Sequence, residues 1–266
     1  MSDGRILIYI YDGSFDGLLS AVHYAYYNRE EPDEIVSTDR LQQNFIAQYV
    51  TIKTDSEKSK AVYNSIRKKI SDRALYDLYL TYLSNEPDKA TAIYKYLRLG
   101  YKLGIHIHHH LHEDCVLRVN KISGYVSMET HKLKGFVRFS EMEGGVLYSP
   151  ITPVNNVLEL LCPYFADRLP SQAWVICDTA RHTAAIYDTE QWVIRDVDTI
   201  NLPKYNQDEA RYQQLWKAFY NAICINSREN PKLRMQMMPK RYWQNMTEFM
   251  PQPTAGSLDA EKMHIE

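Results

Sequence analysis

The fold is decided by residues 135–197, which begin GFVRFSEMEGGVLYSPITP (135–153) and end WVICDTARHTAAIYDTEQWVIRDV (174–197). In the first part, FVRF and VLYSPI are apolar-rich runs on either side of Gly144 and Gly145. Two adjacent glycines can take the positive φ values that a tight hairpin needs. This stretch therefore predicts two antiparallel strands joined by a short turn.

The rest of the stretch predicts a helix and three more strands. Pro153 suits the first turn of a helix, and the apolar residues after it keep helical spacing. Those residues are Val154, Val157, Leu158, Leu161 and Phe165. Further short runs at 174–177, 183–187 and 192–197 are separated by the turn pairs Asp178-Thr179 and Asp188-Thr189. The predicted order is ββαβββ, an antiparallel sheet with one covering helix, within an α+β protein.

The remaining chain divides by composition and periodicity. Five segments are predicted: a small α/β unit at 1–54, a helical region at 55–134, the sheet unit at 135–200, basic C-terminal helices at 201–249, and a disordered tail at 250–266. Near the N-terminus, a strand ending at Tyr11 is followed by Asp12-Gly13-Ser14 and a helix with Leu18, Leu19, Val22 and Tyr26 on its buried side. This turn is predicted to be structural, with Ser14 or Asp12 as the helix cap. The last helices should bury an apolar set of Tyr212, Leu215, Trp216, Phe219, Ala222 and Ile223. Asn230 is the predicted N-cap of the second of them, with Pro231 at its first helical position.

Several motifs together carry a family resemblance. They are GFVRF (135–139), the glycine hairpin, ITPVNNVLELLCPYFADRL (151–169), WVICDTARHTAAIY (174–187), RENPKLRMQMMPKRYW (228–243) and, more weakly, YDGSFDGLLSA (11–21). As a set, these motifs resemble a bacterial family described as DNA metabolism proteins, whose domain has no assigned function. The resemblance covers most of the chain.

The resemblance implies a role in DNA repair or modification. Members of that family are found beside a radical-SAM DNA modification or repair protein, and some are fused to a uracil-DNA glycosylase-like domain. The expected partners are thus DNA, the radical-SAM protein and a uracil-DNA glycosylase-like protein. The alternative is a nucleic-acid-processing enzyme, such as a metal-dependent phosphoesterase or a glycosylase-associated hydrolase. YDGSFDGLLSA resembles the first Asp-Gly motif of such phosphoesterases, although their Asp-His-His cluster has no counterpart in the sequence.

Composition places the protein in the cytoplasm and predicts no cofactor. Cys115, Cys162, Cys177 and Cys224 are far apart, which indicates reduced thiols and provides no three-cysteine iron–sulfur motif. The apolar run near the N-terminus is too short for a signal peptide, and no stretch approaches a membrane span. We therefore expect no membrane partner.

Charge is distributed unevenly along the chain. The net charge is −2, yet residues 211–243 contain seven Lys or Arg and one acid, which gives +6 there and leaves −8 elsewhere. Such asymmetry predicts a local anion-binding face. The candidate nucleic-acid-binding residues are Arg228, Lys232, Arg234, Lys240, Arg241, Tyr242 and Trp243, in which cations would neutralise phosphates and aromatic rings would stack on bases. The alternative is a packed helix with solvated charges around it.

A second group of candidates lies in the sheet region. Asp178, Arg181 and His182 follow one predicted strand closely, and a carboxylate, a guanidinium and an imidazole could bind an anion or relay a proton. The architectural alternative, which we favour, is that Asp178 caps the turn and pairs with Arg181. Arg138, in a predicted strand, would pair with an acid such as Asp178 or project into a groove.

The run HIHHHLHED (106–114) contains the candidate metal ligands. On a helix, His108 and His112 would share one face, as would His109 and His112, which is a spacing that zinc uses. The run contains no HExxH glutamate. The favoured interpretation is an exposed linker that binds metal only incidentally, without a functional metal site.

Overall fold

The structure is a computed structural model that describes residues 6–41, 46–197, 205–223 and 230–250. The chain forms two compact units, Met1–Met128 and Glu129–Glu266, each described here by itself. Across the described ranges, every helix is too short or too polar to cross a membrane.

The first unit contains a three-stranded parallel sheet with the order β2-β1-β3. Its strands are β1 (Ile6–Tyr11), β2 (Glu34–Ser37) and β3 (Ala47–Thr51). Helix α1 (Phe15–Asn28) follows β1, and the hydroxyl of Ser14 accepts a hydrogen bond from the Gly17 amide as the N-cap. The predicted strand, turn and helix are confirmed, as is the helix cap.

Helices complete this unit around one apolar core. They are α2 (Ser56–Lys69), α3 (Asp72–Leu83), α4 (Lys89–Leu103) and α5 (Asp114–Phe136), and the boundary between the units falls within α5. The core joins the sheet to these helices through residues such as Tyr9, Leu18, Ile66, Leu78, Ile93 and Val119. Tyr26, predicted to be buried, is 72% exposed. It occupies the last turn of α1, and Tyr101 meets its ring at 6.4 Å without covering it.

The second unit is built on a five-stranded sheet with the order β4-β5-β6-β7-β8. Its elements are β4 (Ser140–Glu141), β5 (Leu147–Ile151), α6 (Leu158–Arg168), β6 (Trp174–Asp178), β7 (Thr183–Tyr187) and β8 (Trp192–Asp196). The predicted ββαβββ order and the α+β class are confirmed. The sheet is only mostly antiparallel, because β5 and β6 are parallel. The crossover through α6 returns the chain to the same edge before β6 begins, as a parallel pair requires.

The hairpin forms where the glycine pair predicted it, with φ of 90° at Gly144 and 79° at Gly145. The prediction of FVRF as a strand is wrong. Helix α5 continues to Phe136, and the Val137 amide still donates to the Leu133 carbonyl at 3.0 Å. Pro153 does not start a helix either, since α6 begins at Leu158.

The C-terminal helices are α7 (Glu209–Ile223) and α8 (Pro231–Met237). Asn230 caps α8 through the Leu233 amide, as predicted. The predicted buried face of α7 is wrong, because its apolar residues are exposed; they include Tyr212, Leu215, Trp216, Phe219 and Ile223. Polar side chains attach the helix instead: the Glu209 carboxylate accepts a hydrogen bond from the Glu141 amide at 2.9 Å, and Lys217 donates to the Met250 carbonyl at 3.0 Å.

Candidate functional site

The candidate site lies at the carboxyl ends of the parallel strands β5 and β6, where Ile151 is paired with Asp178. Side chains that follow two parallel strands meet at one sheet edge, which is where ligands bind in open α/β sheets. The hydroxyls of Thr152 and Thr179 lie 3.1 Å apart there. Residues 152–155, here called loop 152–155, therefore occupy a position suited to binding.

The Asp178 side chain is fully buried and paired with Arg181. One carboxylate oxygen accepts hydrogen bonds from the backbone amides of Ala180 and Arg181, at 3.0 and 3.3 Å. The other oxygen accepts from the Arg181 guanidinium at 2.9 Å. Burial raises the pKa of Asp178, and the hydrogen bonds and charge of Arg181 only partly oppose this shift. The pair has the geometry of the favoured architectural interpretation.

Arg181 also binds the backbone carbonyl groups of loop 152–155. Its guanidinium donates to the carbonyl oxygens of Pro153, at 3.2 Å, and Val154, at 2.5 Å. His182, the other candidate in this turn, is exposed and has a left-handed φ of 53°. Its backbone carbonyl accepts from the Val197 amide at 2.7 Å. The structure thus brings Asp178 and Arg181 together and leaves the His182 side chain at the rim.

Glu129, in α5, binds the N–H groups of the same loop. Its carboxylate accepts hydrogen bonds from the backbone amides of Val154 and Asn155, both at 2.9 Å, and from the Asn155 side-chain amide at 2.6 Å. The side chain of Glu129 is only 5% exposed. Sequence analysis missed this residue, because an isolated acid in an amphipathic helix usually faces solvent and only the fold brings loop 152–155 to it.

Tyr242 is the fourth donor to Glu129, at 2.5 Å from the phenol oxygen. Burial, followed by the hydrogen bond to Glu129, raises the pKa of Tyr242 to about 12. Arg241 donates to the same phenol oxygen at 2.9 Å, with its guanidinium 4.7 Å from the Tyr242 ring centre. Tyr242 is buried, so its ring is covered by the rest of the protein and is not accessible to a base. Arg241 is exposed.

The C-terminal segment also reaches loop 152–155 directly. The side-chain amides of Gln244 and Asn245 donate to the Thr152 hydroxyl at 3.0 and 3.1 Å. The predicted basic segment and the predicted Asp178–Arg181 turn are far apart in sequence. Hydrogen bonds to one loop bring them to the same sheet edge.

The other predicted nucleic-acid-binding residues form a cation–aromatic group. Trp243 stacks on Phe249 with ring centres 4.5 Å apart, and the Arg234 guanidinium lies 5.5 Å from the Trp243 ring. Among the described residues, the Nε atom of Arg234 is enclosed without a hydrogen-bond acceptor. Lys232 and Lys240 are exposed. Arg228 lies outside the described residues.

Arg138 occupies neither of its predicted positions, since it follows α5 outside any strand and its partner is Glu248 rather than Asp178. Two guanidinium nitrogens donate to Glu248, at 3.2 and 2.8 Å. The Trp216 indole donates to the same carboxylate at 3.1 Å, and the Arg138 guanidinium lies 5.5 Å from the Trp216 ring centre. These contacts are made with residues outside loop 152–155. The ion pair joins α7 to the end of the described chain.

The predicted metal ligands are only partly brought together. Residues 104–109 form a 3₁₀ helix, so the α-helical spacing assumed for His108, His109 and His112 does not apply. The His108 Nε2 atom instead lies 2.8 Å from the Ser71 hydroxyl. His112 approaches a different pair, His110 and Glu113, with their ligand atoms all within 4.8 Å of one another.

The Asp12-Gly13-Ser14 turn has a structural arrangement. Asp12 accepts hydrogen bonds from the amide and hydroxyl of Ser14, at 2.9 and 2.6 Å, and from the Thr54 hydroxyl at 2.7 Å. Burial opposes ionisation of Asp12, but these hydrogen bonds outweigh it and lower its pKa. In the described part of the chain, Asp12 is absent from any group of three metal-ligating side chains within 4.8 Å of one another. These contacts fit the capping interpretation better than the phosphoesterase one.

The site is therefore a loop in a helix-and-sheet unit, held on one side by a carboxylate and on the other by a guanidinium, with the exposed Arg241 and the side-chain amides of Gln244 and Asn245 beside it. A family model described as a domain of unknown function, DUF4130, matches residues 87–248. This range is more than half of the chain, so the protein belongs to the DUF4130 family. No curated protein and no solved structure matches the chain. The matched range includes every residue of the candidate site and the histidine run.

Proposed function

We propose that the protein is a DNA-binding accessory protein in DNA repair or modification, acting in the cytoplasm beside a radical-SAM protein. The observation that carries the proposal is the exposure of Arg241 beside loop 152–155, next to the amide side chains of Gln244 and Asn245. Lys232 and Lys240 extend the exposed positive charge along the same segment. The sequence resemblance to DNA metabolism proteins supports the same assignment.

Each group has a distinct part in the proposed interface. Lys232, Lys240 and Arg241 would neutralise phosphates, which dominates the affinity of most DNA-binding proteins and makes it sensitive to salt. Gln244 and Asn245 carry amides that can pair with base edges. The fixed loop would keep these groups in position before DNA arrives. Tyr242 would act through Glu129 and the loop rather than by stacking on a base.

The proposed partnership divides the chemistry between two proteins. The four cysteines are isolated in sequence, so the radical-SAM partner would contribute the iron–sulfur cluster while this chain contributes DNA contacts. A uracil-DNA glycosylase-like protein is a further proposed partner. Purification from native cells should recover the radical-SAM protein with this chain. A stoichiometric iron–sulfur cluster on the isolated chain would contradict this division.

DNA binding is tested by fluorescence anisotropy with single-stranded and duplex oligonucleotides between about 50 and 200 mM salt. We expect the triple variant Lys232→Ala, Lys240→Ala, Arg241→Ala to bind more weakly, with the slope of log affinity against log salt reduced by about 0.9 for each lost phosphate contact. The matched control removes exposed cations from α2 of the first unit with Lys60→Ala, Arg67→Ala, Lys68→Ala. Equal affinities for the triple variant and the unsubstituted protein would remove this segment from the interface. DNA cleavage or base release by the isolated chain would favour the alternative of a processing enzyme.

A further inference from the structure

The connection between α4 and α5 contains three potential metal ligands on one short turn. The Glu113 amide donates to the His110 carbonyl at 3.2 Å, which closes residues 110–113 into a turn. This closure brings His110, His112 and Glu113 to one side, with the two imidazole ring centres 5.4 Å apart. The His112 Nε2 atom already lies 3.6 Å from a Glu113 carboxylate oxygen.

These separations are close to those in a metal site. In tetrahedral zinc, ligands at about 2.0–2.1 Å from the ion lie about 3.3 Å from each other. The three ligand atoms lie within 4.8 Å of one another without an ion, so small side-chain rotations would complete the coordination. Two imidazoles and one carboxylate form a ligand set that zinc uses with a fourth position open to water or another ligand.

The turn is fixed by hydrogen bonds at both ends. Binding an ion would therefore cost it less conformational entropy than a flexible segment would lose. On one side, Ile107 is fully buried, and its carbonyl accepts from the His110 amide at 3.0 Å. On the other side, the Glu113 carbonyl accepts from the Val116 and Leu117 amides and starts α5. His108, through its contact with Ser71, attaches the preceding 3₁₀ turn to α3. The ligand side chains themselves remain accessible, since His112 is 73% exposed and Glu113 is 44% exposed.

We propose that His110, His112 and Glu113 form a binding site for a divalent zinc-type cation, which joins the end of α4 to the start of α5. The fixed turn separates this site from a generic histidine run, because it selects three particular residues among several. His108 is committed to Ser71, and His106 and His109 lie outside the triad. The inference does not depend on the proposed DNA-binding role.

The test uses the full chain purified without a histidine tag. Zn²⁺ is titrated against a chromophoric chelator, and Co²⁺ is added separately because its visible absorption distinguishes four-coordinate from six-coordinate sites. We expect about one Zn²⁺ per chain, a four-coordinate Co²⁺ spectrum, and a rise in melting temperature on adding Zn²⁺. His110→Ala, His112→Ala and the conservative Glu113→Gln should each lose the Co²⁺ spectrum and the Zn²⁺-dependent rise.

The matched control is the double variant His106→Ala, His109→Ala, which removes two exposed histidines of the same run. It should keep stoichiometry, spectrum and thermal shift. If it lost Zn²⁺ binding as completely as the His110→Ala variant, the ion would be held by the histidine run in general, and the triad would be refuted. Failure of the unsubstituted chain to bind Zn²⁺ in the chelator competition would refute it too. The melting temperatures of the variants without metal show whether each is folded.

Discussion

Arg138 and Glu248 form a bidentate ion pair although 110 positions separate them in the chain. The Glu248 side chain is only 2% exposed, and the Trp216 indole donates to it as well. A buried carboxylate is costly unless it is paired. The pair therefore joins the end of α5, helix α7 and the end of the described chain through one carboxylate.

Stability should depend on pH through Glu248. Burial alone would raise its pKa, but the hydrogen bonds and charge of Arg138 outweigh burial and lower it. An acid with a lowered pKa in the folded state stabilises the fold above its unfolded pKa, which is about 4.3 for glutamate, and this contribution is lost as pH falls through the folded value. We expect Glu248→Gln to lower the free energy of unfolding by about 1–3 kcal/mol near neutral pH.

Urea unfolding of both proteins across a pH series measures this effect. The difference between them should shrink below about pH 4.3, where Glu248 becomes protonated in the unfolded chain and then in the folded one. Glu143→Gln, in the exposed β4–β5 turn, provides the control. A difference that stayed constant down to acid pH would show that the charge of Glu248 is not what stabilises the fold.

The described cysteines should react slowly in the folded protein. Burial raises the pKa of Cys162 to about 12 and also raises the pKa of Cys115 and of Cys177. Only the thiolate reacts, so a high pKa and limited access both reduce the rate. The test uses the Cys224→Ser variant, which leaves these three cysteines. At a pH near 7.5, about one unit below the ordinary thiol pKa, a disulfide reagent should modify Cys162 last. Rapid modification of all three, at the rate seen in denaturant, would contradict the buried positions of Cys162 and Cys177 and the half-buried position of Cys115.

Local signals in the sequence were reliable where the structure depends on neighbouring residues. The glycine pair 144–145 predicted the hairpin, and Ser14 and Asn230 predicted two helix caps, because each depends on residues within one turn. The succession of strands and helix along residues 135–197 followed from periodicity for the same reason, whereas the parallel pairing of β5 with β6 did not.

The candidate site could be predicted only in part. Asp178 and Arg181 are three residues apart, so their pairing was foreseeable. Glu129 and Glu248 meet their partners only in the folded chain, at separations such as 113 positions for Tyr242 and Glu129. The spacing of apolar residues correctly predicted that α7 is a helix. Periodicity does not show whether the apolar face of a helix packs against another element, so the predicted burial of that face was wrong.

Glu129 and Tyr242 should be energetically coupled through loop 152–155. Glu129→Gln replaces one accepting oxygen with a donating amide, so N–H groups of Val154 or Asn155 lose their acceptor; we expect a loss of about 2–3 kcal/mol. Tyr242→Phe removes the hydrogen bond that the phenol donates to Glu129 and the one that it accepts from the exposed Arg241, and it should cost about 1–2 kcal/mol. In the double variant the second substitution should cost less than it does alone. Strictly additive losses in urea unfolding would mean that the two residues act independently.

The final prediction concerns whether Asp178 is architectural. Asp178→Asn keeps one oxygen to accept from the amides of Ala180 and Arg181, but places an amide against the Arg181 guanidinium and leaves that cation unpaired. We expect a loss of about 1–3 kcal/mol, kept moderate because the raised pKa of Asp178 indicates that its burial already has a cost. The weakened hold of Arg181 on the Val154 carbonyl should loosen loop 152–155, so DNA affinity should fall together with stability.

Thr183→Ser, at the start of β7, is a mild control in the strand paired with Asp178. Unfolding free energy and DNA affinity are measured on the same preparations. Full stability combined with lost function would instead make Asp178 a residue of the site itself, since active-site carboxylates are often replaced without loss of stability.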